Sequence, residues 1–448
     1  MSSGRRNLTT GSVFGNLMYF SVPYLIACFL QTFYGLADLY ITGRFNAADS
    51  ITGVAVGSQV MHMLTVMVIG LVMGTTVTIG RGTGKGDSNE ISKSIGNSIV
   101  IFACLAIALT AILQFLTDPI LAILKTPTEA LSETKAYLKI CFWGVPLIVA
   151  YNVMSGIFRG LGDSTRPMVF VFISGVINIF LDWLFIGPME RGAAGAAWGT
   201  VIAQAVSVVL AFLYLVVKSG DIFSMRDIKP DRVTAGEIFR IGLPIMLQDG
   251  LIQVSFLIFT AIANNRGVDI AAAVGVVEKI ITFMFLVQSA MLSSVSSIVS
   301  QCAGTGDFVR AKKTLWKAIE VSVIYNACVV VLCELFAPGI VGIFAGGEAA
   351  VVVLGAQYLR SYIFDGIFTS FHFCMSGYFA ACGKSHYSFI HNILSVALFR
   401  IPIALWASKF FPDNLFPMGL AAPIGSAFSV ILCVWFYRRI QKSTAPAS

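Results

Sequence analysis

Within the apolar run SGVINIFLDWLFIG, residues 174–187, an asparagine and an aspartate stand four residues apart. On a helix that spacing puts Asn178 and Asp182 on one face. Together they offer a carboxylate and an amide oxygen, the oxygen ligands that a hard cation takes. A carboxylate shut away from water can also be neutralised by a proton. Either ligand relieves the cost of a charge in an apolar interior, about 2.5–3.5 kcal/mol on insertion scales. Asp38, in an earlier apolar run, would bring a second carboxylate, and Thr200, in the next run, a hydroxyl oxygen. The stretch GAAGAAWG ahead of Thr200 carries Gly195 and Gly199 at a spacing that lets two helices approach closely. Three more acids lie in apolar runs. Asp249 is near the start of one, Glu278 is followed directly by Lys279 as a ready partner, and Asp365 follows Arg360 by five residues.

Other chemistries find less support. The nine cysteines are scattered without a CxxC pair, and His62, His372, His386 and His391 make no ligand pattern. Neither a disulfide framework nor a transition-metal centre is expected. GKGD at 84–87 and GTGD at 304–307 fit the GxGD pattern of intramembrane aspartyl proteases, with Asp365 after Phe364 as the second acid. Asp87 and Asp307, however, lie in charged segments beside Lys85 and Arg310, whereas a catalytic pair must share a proton at close range. Gly and Asp are ordinary turn residues, which accounts for both motifs. GRGTGKGDS lacks the GK[ST] ending of a nucleotide-binding loop. Energy for uphill work would therefore come from an ion gradient, and no enzyme activity is expected.

The elements that must position these residues are membrane helices. The 448 residues are 57% hydrophobic and 12% charged, half the roughly 25% charge of a soluble domain. Twelve apolar runs are long enough to cross a bilayer, at about 15–42, 51–80, 94–116, 134–158, 166–188, 193–217, 237–263, 270–301, 313–338, 355–381, 387–408 and 418–437. The first follows Arg5 and Arg6 like a signal peptide, but it is too long and lacks a cleavage site, so it reads as a retained span. Most of the 30 Lys and Arg fall in the N-terminus, the even-numbered loops and the C-terminus. Both termini are thus expected in the cytoplasm, with the protein in the cell (inner) membrane. The +7 net charge is a topology signal, and no nucleic-acid partner is expected.

The chain repeats itself. Pro23 matches Pro244, YLK at 137 matches YLR at 358, and MSGIFRGLGDS at 154 matches MSGYFAACGKS at 375, all at an offset of 221. GKGD matches GTGD at 220. Two six-helix halves follow, residues 1–217 and 237–448 joined by a cytoplasmic linker at 218–236. An even number of spans per half makes them parallel repeats, an arrangement typical of transporters. At offset 221, Asp38, Asn178 and Asp182 correspond to Phe259, Phe399 and Ile403, so the acid cluster belongs to one half only. Pro23 and Pro244 interrupt the hydrogen bonding of their spans, and Pro23 is a candidate hinge.

These features resemble the multidrug and toxic compound extrusion (MATE) transporters over nearly the whole chain. Most specific are GIFRGLGDSTRPM at 156–168, the N-x-x-x-D of Asn178 and Asp182 followed by GAAGAAWGT, and ADLYITGR around Asp38. The resemblance implies an all-α integral membrane protein whose two lobes form a V and open alternately to either side. It implies export of amphipathic organic compounds in exchange for H⁺ or Na⁺, with no other cofactor, by a monomer in contact with membrane lipids. By motif the cation site falls on Asp38, Asn178, Asp182 and Thr200. Cavity residues fall on Gln31, Tyr34, Tyr137 and Asn152. Some branches of the family carry a cation-site glutamate in span 7; here that stretch reads DGLIQVSF, with Asp249 and Gln253 but no glutamate. A carboxyl-terminal ion site is therefore not expected. A lipid-linked oligosaccharide flippase of the same superfamily is the alternative. It would need a cationic cavity, and the basic residues within spans are few, namely Lys139, Lys279, Arg360 and Arg400.

Overall fold

The computed structural model describes residues 7–218, 223 and 225–444. Arg5, Arg6 and residues 219–222 of the expected linker lie outside them. Apolar runs with few breakers produce sixteen α-helices, and no strand occurs among the described residues. The first half runs through α1 (Val13–Phe45), α2 (Ala48–Lys85), α3 (Ser88–Ile123), α4 (Leu131–Trp143), α5 (Val145–Gly160), α6 (Thr165–Ile186) and α7 (Gly192–Lys218). The second runs through α8 (Arg232–Asn264), α9 (Val268–Thr305), α10 (Phe308–Gly342), α11 (Ala349–Tyr362), α12 (Asp365–Ala381), α13 (His386–Ser395), α14 (Ile401–Phe410), α15 (Phe416–Gly419) and α16 (Ala421–Thr444). A π-helical turn, Val396–Arg400, joins α13 to α14.

Ten spans among the described residues are long and apolar enough to cross a membrane. An eleventh is a pair, Thr128–Trp143 with Val145–Gly160, bent by 50°. The expected span at 355–381 is the repeat-equivalent pair α11 and α12, and neither reaches 18 residues on its own. The break falls at Ile363 and Phe364, as that of the first half falls at Gly144.

At its surface, side-chain placement departs from the pattern of a soluble protein. Large apolar residues project outward, with Phe115 85% and Trp143 71% exposed. On a water-soluble chain such surface would demand a partner; on this one it faces lipid. The interior keeps an apolar core and also buries Asn, Ser, Thr, Gln and a few charges. Every buried polar group in that setting needs a protein partner.

Two compact units result. One is built mainly from Met18–Leu243 with Ser300–Gly306, the other from Gly11–Leu17, Pro244–Val299 and the chain from Asp307 onward. In the first, α2 packs on α3, α4, α5 and α7, and α6 lies along α7. Gly156 and Gly160 of α5 let Val72 and Ile79 of α2 come so close that a methyl at either glycine would overlap them. Two serines fasten α6 to α7. Ser174 Oγ donates to Ala203 O at 2.8 Å and Ser207 Oγ donates to Phe170 O at 3.1 Å. In the second unit α12 packs on α10 and α16, and Asn326 Nδ2 donates to Ser370 Oγ at 2.8 Å.

The repeated loop motifs are helix punctuation. Gly86 and Gly306 adopt φ of 72° and 76°, the left-handed conformation that ends a helix. The next residue caps the following helix. Asp87 accepts from the Asn89 and Glu90 amides at 3.0 and 3.1 Å, and Asp307 accepts from the Arg310 amide at 2.8 Å. Both carboxylates are thereby committed to backbone, and a protease-like role for them is not supported. Removing either cap should cost about 1 kcal/mol. Asp87→Ala and Asp307→Ala are each expected to lower the thermal midpoint of the purified protein slightly. The corresponding Asn variants, which can still cap, should melt close to the parent.

Candidate functional site

The α6–α7 pairing just described carries the candidate site. Ser174, Asn178 and Asp182 follow one another at i, i+4 and i+8 on α6. The serine clamp therefore turns the asparagine and the aspartate toward α7 as well. There Gly199 makes room. A methyl at that position would overlap Asp182 Oδ1. From α1, Asp38 reaches the same place, its carboxylate within interaction range of Asp182 and of the Thr200 hydroxyl. Exposure is 4% for Asp38, 2% for Asn178 and 0% for Asp182, so water does not screen these charges.

The hydrogen bonds leave oxygens over. Asn178 Nδ2 donates to both Asp182 oxygens at 3.4 Å, long contacts that hold the carboxylate loosely. Thr200 Oγ1 donates to Ala196 O at 3.0 Å, which leaves its lone pairs free to face Asp38. Asp38 Oδ1 and Asn178 Oδ1 have no hydrogen-bond partner among the described residues. The donor set is two carboxylates, an amide oxygen and a hydroxyl oxygen. It suits a proton or a hard cation. Among the described residues no group of three or more His, Cys, Asp or Glu is placed to hold a metal ion.

Of the residues assigned to a cavity, two stand beside the acids. Tyr34 is half-buried one turn before Asp38, with Gln204 nearby. Tyr137 is 2% exposed, near Asp38 and Asp182, its ring lying over Gly57. Asn152 is buried and donates within its own helix, to Ile148 O at 2.8 Å. Gln31 is half-buried on α1. Pro23 lies inside α1 without interrupting it.

In the second unit the lower-ranked acids pair differently from the expectation. Glu278 accepts from Thr260 Oγ1 at 3.1 Å, while Lys279 is exposed. Adjacent helix residues point to different faces, so the two could not meet. Asp365 pairs with Arg400 at 2.8 Å rather than with Arg360, whose Nε lies 3.9 Å from Glu334. The break between α11 and α12 turns Asp365 away from Arg360. Asp249 is half-buried with Gln248 Nε2 at 3.5 Å, and Gln253 is half-buried as well.

The π turn also corrects the repeat. Up to Val396, buried positions of α6 and α13 agree at offset 221; for Asn178 and Asp182 they agree at 222, and Ile186 again matches buried Ala407 at 221. Buried Asn178 and Asp182 thus match buried Arg400 and Ala404, not half-buried Phe399 and Ile403. A π turn takes one extra residue, and no sequence offset reveals it. Sequence reading also missed Arg159, counted as a loop charge. It is 3% exposed, bonded to Ser155 Oγ at 3.0 Å and set 5.2 Å from the Tyr24 ring centroid. Its place in the apolar GIFRG was the available signal.

The MatE family profile matches residues 23–184 and 244–406. The chain belongs to the MatE family. The two MatE segments begin at the repeat-equivalent prolines, Pro23 and Pro244, and the first contains Asp38, Asn178 and Asp182. Relatives span the full length. The probable multidrug resistance protein YpnP of Bacillus subtilis is 26% identical over 96% of this chain and 95% of its own. The multidrug export protein MepA of Staphylococcus saprophyticus is 26% identical over 86% of this chain and 85% of its own. Among solved structures, a MOP superfamily transporter from Pyrococcus furiosus superposes with a TM-score of 0.92 at 23% identity, over 98% of both chains. The MatE chain is therefore an all-helical, multi-pass membrane protein with the fold of that family.

Close approach at Gly199 has a measurable consequence. In Gly199→Ala the new methyl must displace Asp182 or part α6 from α7, an overpacking cost of about 1–3 kcal/mol. In Gly195→Ala the nearest atoms lie 3.2 Å away, and small adjustments absorb it. Thermal melts of the two variants should rank Gly199→Ala clearly below Gly195→Ala; equal midpoints would contradict the packing described.

Proposed function

We propose that this MatE protein is a secondary antiporter that exports amphipathic organic compounds, taking up H⁺ or Na⁺ in exchange. Asp38, Asn178, Asp182 and Thr200 form its cation site. The observation that carries this reading is the pair of buried oxygens without partners, Asp38 Oδ1 and Asn178 Oδ1, beside a second carboxylate. Carboxylates this close and this dry repel each other while both are charged. An incoming proton or hard cation removes the repulsion and lets α1 draw in against α6 and α7. Release lets it move out again. Pro23 has no amide hydrogen for the Tyr19 carbonyl, so α1 bends there at lower cost than elsewhere. One charge crossing 100 mV provides about 2.3 kcal/mol.

Residues 1–217 and 237–448 act as the two lobes of an alternating-access cycle, with 218–236 as the cytoplasmic linker. Arg81, Lys85 and Lys93 at the ends of α2 and α3, and Arg310, Lys312 and Lys313 at the start of α10, mark the cytoplasmic side. Tyr34, Tyr137, Gln31 and Asn152 are the proposed wall of the substrate path, mixing aromatic faces with amide groups. Export of drug-like compounds also accords with the names of the relatives YpnP and MepA. Of the basic residues within spans that a pyrophosphate-binding flippase would draw on, Arg400 is paired with Asp365 and Arg360 lies 3.9 Å from Glu334, while Lys139 and Lys279 are exposed.

Proteoliposomes loaded with ethidium test the reading, under an imposed proton gradient and then a sodium gradient. The parent should export dye under one of them, and Asp38→Asn should abolish that ion-driven export. If the Asp38→Asn, Asp182→Asn double variant exports at the parental rate, these residues are not the coupling site. Scrambling of a fluorescent lipid by the parent, without dye export, would favour the flippase.

A further inference from the structure

The second unit holds a buried ion pair where the first holds unpartnered oxygens. Arg400 Nη2 lies 2.8 Å from Asp365 Oδ2, with the side chains 8% and 1% exposed. Once the π turn is counted, Arg400 occupies the place that Asn178 occupies in the first unit, and Ala404 the place of Asp182. Phe259, the equivalent of Asp38, is 1% exposed in the apolar core. Asp365 itself corresponds to Gly144 at the bend of the first half. Neither member of the pair thus has a charged equivalent, and each needs the other. A lone carboxylate or guanidinium here would be an uncompensated buried charge. The Ser426 hydroxyl accepts from the same guanidinium nitrogen at 3.5 Å. Asp365 Oδ1, like Asp38 Oδ1, has no hydrogen-bond partner among the described residues.

We propose that Arg400 is a tethered counter-ion, doing permanently in the second unit what a mobile cation does transiently in the first. Asp365 therefore takes up no ion in the transport cycle. The π turn is the device that aims the guanidinium. Without its extra residue, position 400 would rotate off the buried face. The proposal rests on the reading of Asp38 and Asp182 as the cation site.

Ion uptake by the purified full-length protein tests it, read as bound radioactive Na⁺ plus protons taken up in a pH-stat, per chain. Arg400→Lys should keep the parental count. Arg400→Gln should bind one ion more, because bare Asp365 then needs a proton or Na⁺. Asp365→Asn, Arg400→Gln should return to the parental count, since a neutral pair requires nothing. The extra ion of Arg400→Gln should persist when Asp38→Asn is added. A folded Arg400→Gln with the parental count overturns the proposal. Should Arg400→Gln not fold, the neutral double variant decides: folding with the parental count supports the tethered counter-ion, and failure to fold overturns it. The underlying reading fails separately, if Asp38→Asn, Asp182→Asn leaves the parental count unchanged.

Discussion

A bilayer interior contains no water to satisfy a polar group, and the architecture of this protein follows from that constraint. Helices dispose of the backbone. Side chains that must be polar are turned inward and bonded, as Ser174 and Ser207 are to the carbonyls of the partner helix. Helix ends close on glycines in the left-handed conformation and on aspartate caps at residues 87 and 307. Other buried side-chain atoms stay without a hydrogen-bond partner among the described residues, and two of them stand beside the carboxylate of Asp182. These are Asp38 Oδ1 and Asn178 Oδ1, close to where Asp182 lies against Gly199.

The two halves solve the same problem with different charges. One scaffold, duplicated, has the same glycine-and-cap turns, the same broken fourth span and the same paired helices in both copies. In the first unit a carboxylate pair stays incomplete. In the second, Asp365 is completed by Arg400, within the protein. A buried ion pair adds little net stability compared with apolar packing. Its retention beside a π turn, a local departure from ideal helix that clusters at functional positions, is more readily understood as a setting of charge than of stability.

Much of the site was legible before any coordinates. Asn178 and Asp182 declared a shared face by their spacing, and Gly195 and Gly199 declared a close helix contact. Pairings were less legible. Asp365 and Glu278 each had a sequence neighbour of opposite charge, and each found another partner, Arg400 and Thr260. A neighbour in sequence is a neighbour in space only at helical spacing, and a break such as that at Ile363 and Phe364 cancels even that. Arg159 went unrecognised for a related reason. Its position near a helix end suggested a topology charge, whereas packing against Tyr24 buried it.

By itself the sequence determined what is local and cumulative. Runs of apolar residues require membrane helices, the bias of basic residues gives an expected orientation, and a recurring offset requires two like halves. Tertiary structure alone decided which residue of a repeat stands in which place. One additional residue in the π turn at Val396–Arg400 carries Arg400 and Ala404, rather than Phe399 and Ile403, onto the buried face. The offset counts residues along the chain, but burial follows rotation about the helix axis. A residue added to one turn rotates everything after it by about 100°, and only the packed neighbours fix where that rotation occurs.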